Sequence, residues 1–429
     1  MSGKARTEMK VLMPTFEYGA IKTGGLSAAL TAIAETFVPH LNPILVVPRS
    51  GVSPPWKKIN ESRYEKVTVE RFEHNGVMIY VLSNEILNNR EIYPDPKNTK
   101  TVRKIDEFGM RLSEITEDID FDLVHMHDSF SYKAMDKFKE MKKPVLLTVH
   151  RLHREFSNWF KTELIALEKA DYVTVVGKTY YQEDEKELFS KYRGKVTHVY
   201  NGIDTEFWNA ENCSHPDLPR LKRREKILEK HGLKDGVFYL FVGRFDSSQK
   251  GIDLLLRAGE KFVETEDNRL IIVGKGEKKL EIAAEDFERR QPDRVRVVNE
   301  LLPMEKTRDL YCSADFALVP SIFEPFGLVQ LEAMSCGCVP IGSRTGGIQD
   351  TVIPYPRKGA TGFLFERESA EALLQAMEKS ISLYRENQKA IERMRVNGRR
   401  RCEAHFRWEN SCREYLKLYK KLLKGRRVR

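Results

Sequence analysis

The chain has 429 residues, and 72 Lys plus Arg against 63 Asp plus Glu leave a formal charge of +9. At roughly 150 residues per domain, this length implies two or three domains with cores large enough to need no disulfide or metal staple. The composition, 41% hydrophobic and 31% charged with 26 Gly and 18 Pro, excludes collagen-like, disordered and low-complexity classes. No apolar run reaches the ~18 residues of a transmembrane helix. The polar start Met1–Lys10 runs straight into a strand-like segment, so no signal peptide is expected. The charge is not spread evenly. Residues 391–429 hold 14 basic and four acidic residues, so the remainder is near neutral. A protein whose main face reads nucleic-acid phosphates has a different distribution. The six cysteines, at 213, 312, 336, 338, 402 and 412, show no zinc or disulfide spacing and are expected to be reduced.

Short apolar runs recur along the chain, each followed by glycine, polar residues and a helix-length segment. In the first half they are Val11–Phe16, Ile44–Val47, Val77–Leu82, Leu123–Met126, Val145–Val149, Tyr172–Val176 and Val196–Tyr200. In the second half they are Phe238–Val242, Leu270–Val273, Val295–Val298, Phe316–Val319, Val339–Ile341 and Gly362–Phe365. Runs of this length without polar alternation predict strands buried on both faces, and alternation with helices predicts parallel βαβ units. Thirteen strands exceed one open sheet, so the expected fold class is α/β with two doubly wound, Rossmann-like domains. A TIM barrel is the alternative, but eight equal units do not emerge. The expected boundaries are 1–204, 205–405 and 406–429. In the last segment Trp408, Cys412, Tyr415, Leu418, Tyr419, Leu422 and Leu423 form one helical stripe, which predicts a docked helix with a basic outer face.

Ligands of open parallel sheets bind beyond the carboxyl ends of the strands, and the chemistry-bearing residues cluster there. Lys22-Thr23-Gly24-Gly25 precedes a helix over Leu26–Phe37. It reads either as a close backbone approach to a phosphate or sugar, or as a plain strand–helix turn. It is neither a Walker loop nor a G-x-G-x-x-G. His125, His127 and Asp128 end one strand and His150 ends the next, with Arg151 and His153 following. These fit a polar substrate pocket, satisfied structural histidines, or a metal site that lacks an evident third ligand. The Asp118–Asp122 run precedes its strand and reads as a solvated loop. Trp159 and Phe160 read as packing or as a sugar-stacking platform. In the second half, Gly243-Arg244-Phe245-Asp246 with Lys250-Gly251, Gly274-Lys275-Gly276, Ser321–Leu328 with Glu332, and Arg344-Thr345-Gly346-Gly347 all fall at strand ends. An Arg and a Lys beside glycine-rich helix starts suit a diphosphate leaving group, whose growing charge they neutralise.

Together these residues resemble the two-domain retaining glycosyltransferases of the GT-B fold, and most closely the glycogen and starch synthases in their short archaeal form. The resemblance covers nearly the whole chain. It is carried by K-T-G-G-L (Lys22 to Leu26), T-V-H (Thr148 to His150), N-G-I-D (Asn201 to Asp204) and G-R-F-D-x-x-Q-K-G (Gly243 to Gly251). E-P-F-G-L-x-x-L-E-A-M (Glu324 to Met334) and T-G-G (Thr345 to Gly347) complete the set. The resemblance implies two domains facing a cleft, with the final helix crossing back to the N-terminal domain. It implies that Lys22, Gly24 and Gly25 contact the nucleotide diphosphate, that Arg244 and Lys250 hold it and assist its departure, and that Glu324 orients the donor glucose. Glu332 is implied to bind the ribose, with Gly276, Leu328, Thr345 and Gly346 also on the donor side. His150 lines the donor sugar, and Asp128 and Asn201 are assigned to substrate binding. Front-face attack, with the leaving phosphate as base, needs no protein nucleophile. The chain departs from the bacterial pattern in having Ser27-Ala28-Ala29 after K-T-G-G-L. It also has one extra residue between Arg244 and Lys250.

The implied function is glycogen synthase, a hexosyltransferase using ADP-glucose or UDP-glucose and an α-1,4-glucan acceptor. No cofactor or metal, no nucleic acid and a cytoplasmic location are expected, and self-association is left open. The competing readings are a related transferase acting on a lipid or small acceptor at an anionic membrane, and a non-catalytic glucan-binding protein.

Overall fold

The computed structural model describes residues 9–19, 25–50, 56–88, 91–94, 99–264 and 268–426. The chain divides into two compact units. Unit 1 comprises Met1–Val176, Glu187–Val199 and Trp408–Arg429, and unit 2 comprises Gly177–Lys186 and Tyr200–Arg407.

Unit 1 is built on a nine-stranded sheet in the order β3-β4-β5-β2-β1-β6-β7-β8-β9. Its strands are β1 (Lys10–Pro14), β2 (Asn42–Pro48), β3 (Lys57–Arg63), β4 (Thr68–His74), β5 (Val77–Ser83), β6 (Leu123–His127), β7 (Val145–Val149), β8 (Tyr172–Val175) and β9 (Val196–His198). From β5 through β9 every pairing is parallel. The apolar-run criterion finds all of these and misses β3 and β4, which add an antiparallel extension to the edge. The reason is physical: β3 is exposed along nearly its whole length, and β4 mixes charged and apolar side chains. Such strands carry no continuous apolar run.

The helix Gly25–Phe37 buries Ala29, Leu30, Ile33, Ala34 and Phe37 on one stripe and stops just short of Pro39. Against it lies the last helix, Trp408–Arg426, which packs in unit 1 as expected. Trp408, Cys412, Tyr415 and Tyr419 are its buried face. Leu418, Leu422 and Leu423 are only half-buried, at the margins of the stripe. The outer face carries Arg413, Lys417, Lys420, Lys421 and Lys424, all exposed.

The tyrosines on this helix are polar anchors in an apolar layer. The Tyr419 hydroxyl lies 2.6 Å from His125 Nδ1, and His125 Nε2 lies 2.7 Å from Thr148 Oγ1. Thr148 Oγ1 also meets Thr174 Oγ1 at 2.6 Å and the Tyr415 hydroxyl at 3.3 Å. His125 is therefore a satisfied structural histidine, and burial holds its pKa well below the usual value.

Unit 2 has a six-stranded, all-parallel sheet in the order β12-β11-β10-β13-β14-β15. The strands are β10 (Val237–Val242), β11 (Asn268–Val273), β12 (Val295–Val298), β13 (Phe316–Val319), β14 (Val339–Ser343) and β15 (Phe363–Phe365). Alternate residues Tyr239, Phe241, Leu270, Ile272, Phe316 and Leu318 enter one core with Leu255 and Phe262 of the helix Ile252–Phe262. Leu373, Met377 and Ile381 of the helix Ala370–Glu386 close it. The intervening residues Phe238, Leu240, Ile271 and Ala317 are buried as well, as a sheet covered on both faces requires.

Against the expected boundaries, the second unit resumes at Tyr200 rather than 205, runs to Arg407 rather than 405, and also takes in one excursion, Gly177–Lys186. Thr179 gives its hydroxyl (2.7 Å) and its N–H (3.1 and 3.3 Å) to the Asp350 carboxylate. Asp184 accepts from the Gly346 N–H at 3.0 Å and pairs with Arg367 at 3.2 Å. These bonds place the segment with unit 2.

The Tyr419–His125 contact is testable. Tyr419→Phe leaves a buried imidazole nitrogen without its partner, and should lower the unfolding free energy by about 1–3 kcal/mol in urea titration. An unchanged midpoint would show that the pair contributes nothing.

Candidate functional site

The residues singled out in unit 2 come together at the carboxyl edge of its sheet. The turns after β10, β13 and β14 pack backbone on backbone there. Gly251, at the start of the helix after β10, has φ +63°, and an added Cβ would lie 2.0 Å from the Pro320 carbonyl oxygen. Gly346 leaves the same 2.0 Å to the Glu324 carbonyl oxygen, and Gly347 leaves 2.3 Å to Phe326. Only glycine permits this approach.

Arg244, Lys250, Glu324 and Glu332 lie at this edge. Lys250 Nζ donates to Glu324 Oε2 at 2.5 Å, and Ser321 Oγ lies 3.4 Å from the same oxygen. Glu324 is 9% exposed. Arg244 donates through Nη2 to Gln249 Oε1 at 3.0 Å and stands 3.7 Å from Asp246, with its side chain about half exposed. Glu332 has no side-chain hydrogen bond among the described residues. It is half-buried by area, but the protein packed around its carboxyl leaves that group poorly solvated. Burial lifts its pKa to about 7 against the opposing pull of Lys250.

The glycine N–H groups are already engaged. Gly276 N donates to Glu281 Oε1 at 3.1 Å, Gly346 N to Asp184, and Gly347 N to the Glu324 carbonyl at 3.1 Å. Their local role is close packing, so the positive charge offered at this edge comes from side chains, Arg244 and Lys250 among them. Leu328 is half-buried ahead of the helix Val329–Ser335. Thr345 Oγ1 is fully buried and has no partner among the described residues, and the same holds for Asn201 Oδ1. Gln249, Ser321 and Asp184 were not singled out by sequence. Gln249 and Ser321 lie inside named runs without a role of their own, and Asp184 lies in the excursion, far from any motif.

Unit 1 carries the other expected residues. His127 Nδ1 is 3.0 Å from His150 Nε2, and Asp128 Oδ1 accepts from the His150 N–H at 2.8 Å. Asp128 adopts φ +55° and is buried. Burial drives its pKa well above the carboxylate range despite that bond. Burial also takes His150 down to about 3, so the imidazole is neutral at any ordinary pH. Trp159 is packing and no sugar platform: it stacks on His153 with ring centres 3.8 Å apart, and Tyr93 lies on it at 5.6 Å. The Asp118–Asp122 run is the surface loop expected, with Asp120 paired to Lys10 at 2.5 Å. Gly25 opens its helix with open space around it, whereas Lys22 and Gly24 lie outside the described residues. Among the described residues no group of three or more His, Cys, Asp or Glu side chains is placed to hold a metal ion, and no helix is long and apolar enough to cross a membrane.

Residues 223–401 match the family model described as Glycosyl transferases group 1, and residues 71–207 match Glycosyltransferase Family 4. The glycogen synthase of Finegoldia magna is 28% identical over 419 residues, covering 84% of this chain and 86% of that one. The glycogen synthase of Streptococcus gordonii is 26% identical over 495 residues, covering 97% of this chain and 100% of its own. Among solved structures, the catalytic domain of Starch Synthase IV from Arabidopsis thaliana, bound to ADP and acarbose, superposes with a TM-score of 0.82. It is 17% identical and covers 97% of this chain and 99% of that one. That likeness establishes the shared fold.

The Glu332 carboxyl gives a pH signature. The folded state keeps its proton between about pH 4.5 and 7 while the unfolded chain has lost it, so the stabilisation is complete below 4.5 and disappears as pH rises through about 7. Glu332→Gln should remove a stability loss of about 1–3 kcal/mol between pH 5 and 8, read by urea unfolding at each pH. Parallel profiles for the two proteins would show a solvated carboxyl.

Proposed function

We propose that the chain is a member of the glycogen and starch synthase family of GT-B glycosyltransferases and that it transfers glucose from ADP-glucose or UDP-glucose to the non-reducing end of an α-1,4-glucan, with retention, a reading supported by its similarity to curated glycogen synthases and by the shared fold. The observation that carries this reading is the Lys250–Glu324 contact at 2.5 Å, with Arg244 on the adjoining turn. Two cations and a carboxylate at the carboxyl edge of a parallel sheet suit a sugar linked to a diphosphate. The cations take up the charge that grows on the leaving group, and the carboxylate accepts from sugar hydroxyls.

In the proposed step the bond from glucose C1 to the diphosphate oxygen breaks. A new bond forms from C1 to the acceptor's 4-oxygen, and the acceptor's hydroxyl proton goes to the departing phosphate. Arg244 and Lys250 hold the diphosphate, Glu324 orients the glucose, and Glu332 meets the ribose. Gly276, Leu328, Thr345 and Gly346 complete the donor side, with Lys22, Gly24 and Gly25. The neutral His150 offers a hydrogen bond near the donor sugar without adding charge, and Asp128 and Asn201 serve the substrates. The reading requires no metal and places the protein in the cytoplasm.

Incubation with glycogen and ADP- or UDP-[14C]glucose should put label into polymer as α-linked glucose. Label recovered only in a lipid extract would replace the acceptor. Lys250→Ala and Glu324→Ala should each lower kcat by about 10²–10⁴-fold with the melting temperature nearly unchanged. Near-normal turnover in both would remove the site assignment.

A further inference from the structure

The loop joining Arg244 to Lys250 holds one buried polar residue that the roles above leave unused. Gln249 is 7% exposed, next to the exposed Ser248. Its backbone N–H donates to Asp246 Oδ1 at 3.0 Å, in the same Asx turn that captures the Ser248 N–H at 2.8 Å. Its carbonyl accepts from the Ile322 N–H at 2.8 Å, which ties the loop to the turn carrying Glu324. Its side-chain Oε1 accepts from Arg244 Nη2 at 3.0 Å. One residue thus links the turn of Glu324, by its backbone, to the guanidinium of Arg244, by its side chain. Lys250 is its immediate neighbour.

The chemistry of the acceptor matters. A guanidinium on a half-exposed side chain samples many rotamers, and fixing it in advance removes an entropy cost from the bound state. An amide oxygen fixes it without cancelling its charge, whereas a carboxylate there would neutralise it. Asp246 supplies a carboxylate only at 3.7 Å.

We propose that Gln249 is a positioning residue for the donor diphosphate, acting through Arg244. It sets the guanidinium while leaving its charge free for the leaving group. The inference rests on the assignment of Arg244 to the diphosphate, and a double-mutant cycle separates the two. Arg244→Ala, Gln249→Leu and the double variant are assayed for donor KM and kcat, with melting curves. Gln249→Leu is expected to lower kcat/KM for the donor about tenfold, and to add less than about twofold in the Arg244→Ala background.

A normal Gln249→Leu beside an impaired Arg244→Ala overturns the inference and leaves the proposed site intact. Equal losses in both backgrounds overturn it too, because Gln249 would then act independently of Arg244. A normal Arg244→Ala overturns the assignment beneath it. Should Gln249→Leu fail to fold, Gln249→Glu carries the test. It keeps the shape and the acceptor but cancels the charge, so it should raise donor KM severalfold while acceptor KM stays fixed. An unchanged donor KM overturns the proposal.

Discussion

At the carboxyl edge of the second sheet, backbone packs directly on backbone, and the placement of every charged side chain there follows from it. Gly251 lies under the Pro320 carbonyl, and Gly346 and Gly347 lie under the turn from Glu324 to Phe326. A methyl group at any of these positions would overlap a main-chain atom, so a substitution would have to push whole turns apart. The Lys250–Glu324 contact spans two of those turns. Its 2.5 Å separation therefore depends on three glycines that carry no chemistry themselves. The Gln249 carbonyl bond to Ile322 adds a second tie across the same junction.

The charge distribution has the same logic at a larger scale. The formal +9 is an excess of the C-terminal segment, and the structure places five of its basic residues on the outer face of the helix Trp408–Arg426. The inner face of that helix is spent on tyrosine hydroxyls that satisfy His125 and Thr148. At the candidate site the positive charge consists of a few residues, each held by a specific acceptor. Arg244 has an amide, which leaves its charge available, whereas Lys250 has a carboxylate, which shares it. The two cations are therefore not equivalent. Lys250 must be partly drawn from Glu324 before it meets a new anion, while Arg244 is already poised.

Much of this was legible from the sequence, for identifiable reasons. Strands buried on both faces are continuous apolar runs, and every one of those runs is a strand. The hairpin β3–β4 was missed because an exposed edge strand such as Lys57–Arg63 has no apolar run to find. The site motifs could be read because glycine beside a charged residue at a strand end is uncommon without a packing or binding reason. The excursion Gly177–Lys186 could not be read, because its place depends on Asp350 and Gly346, more than 150 residues away in sequence. The sequence leaves Trp159 between two readings, since a tryptophan on a helix looks alike in both until its ring is seen buried and stacked on His153. The state of Glu332 was also invisible, because desolvation is a property of the surrounding fold.

The carboxylates bear on how bond exchange at the anomeric carbon can proceed. A displacement through a protein nucleophile requires a free anionic group. Glu324 is bound to Lys250, and its charge is compensated. Glu332 is drawn toward its neutral form near pH 7, and Asp128 is driven further in the same direction. None of the three is a fully ionised, uncompensated anion at neutral pH. A group that arrives already anionic is the better base for the acceptor hydroxyl, and a departing diphosphate is such a group. Its charge rises as the C1–O bond lengthens, so its basicity grows as the proton must move. On the proposed assignment, Arg244 and Lys250 hold that charge without quenching it. Two separate side chains, one tightly paired with a carboxylate at 2.5 Å in the resting state and one with its carboxylate only at 3.7 Å, can do this in stages.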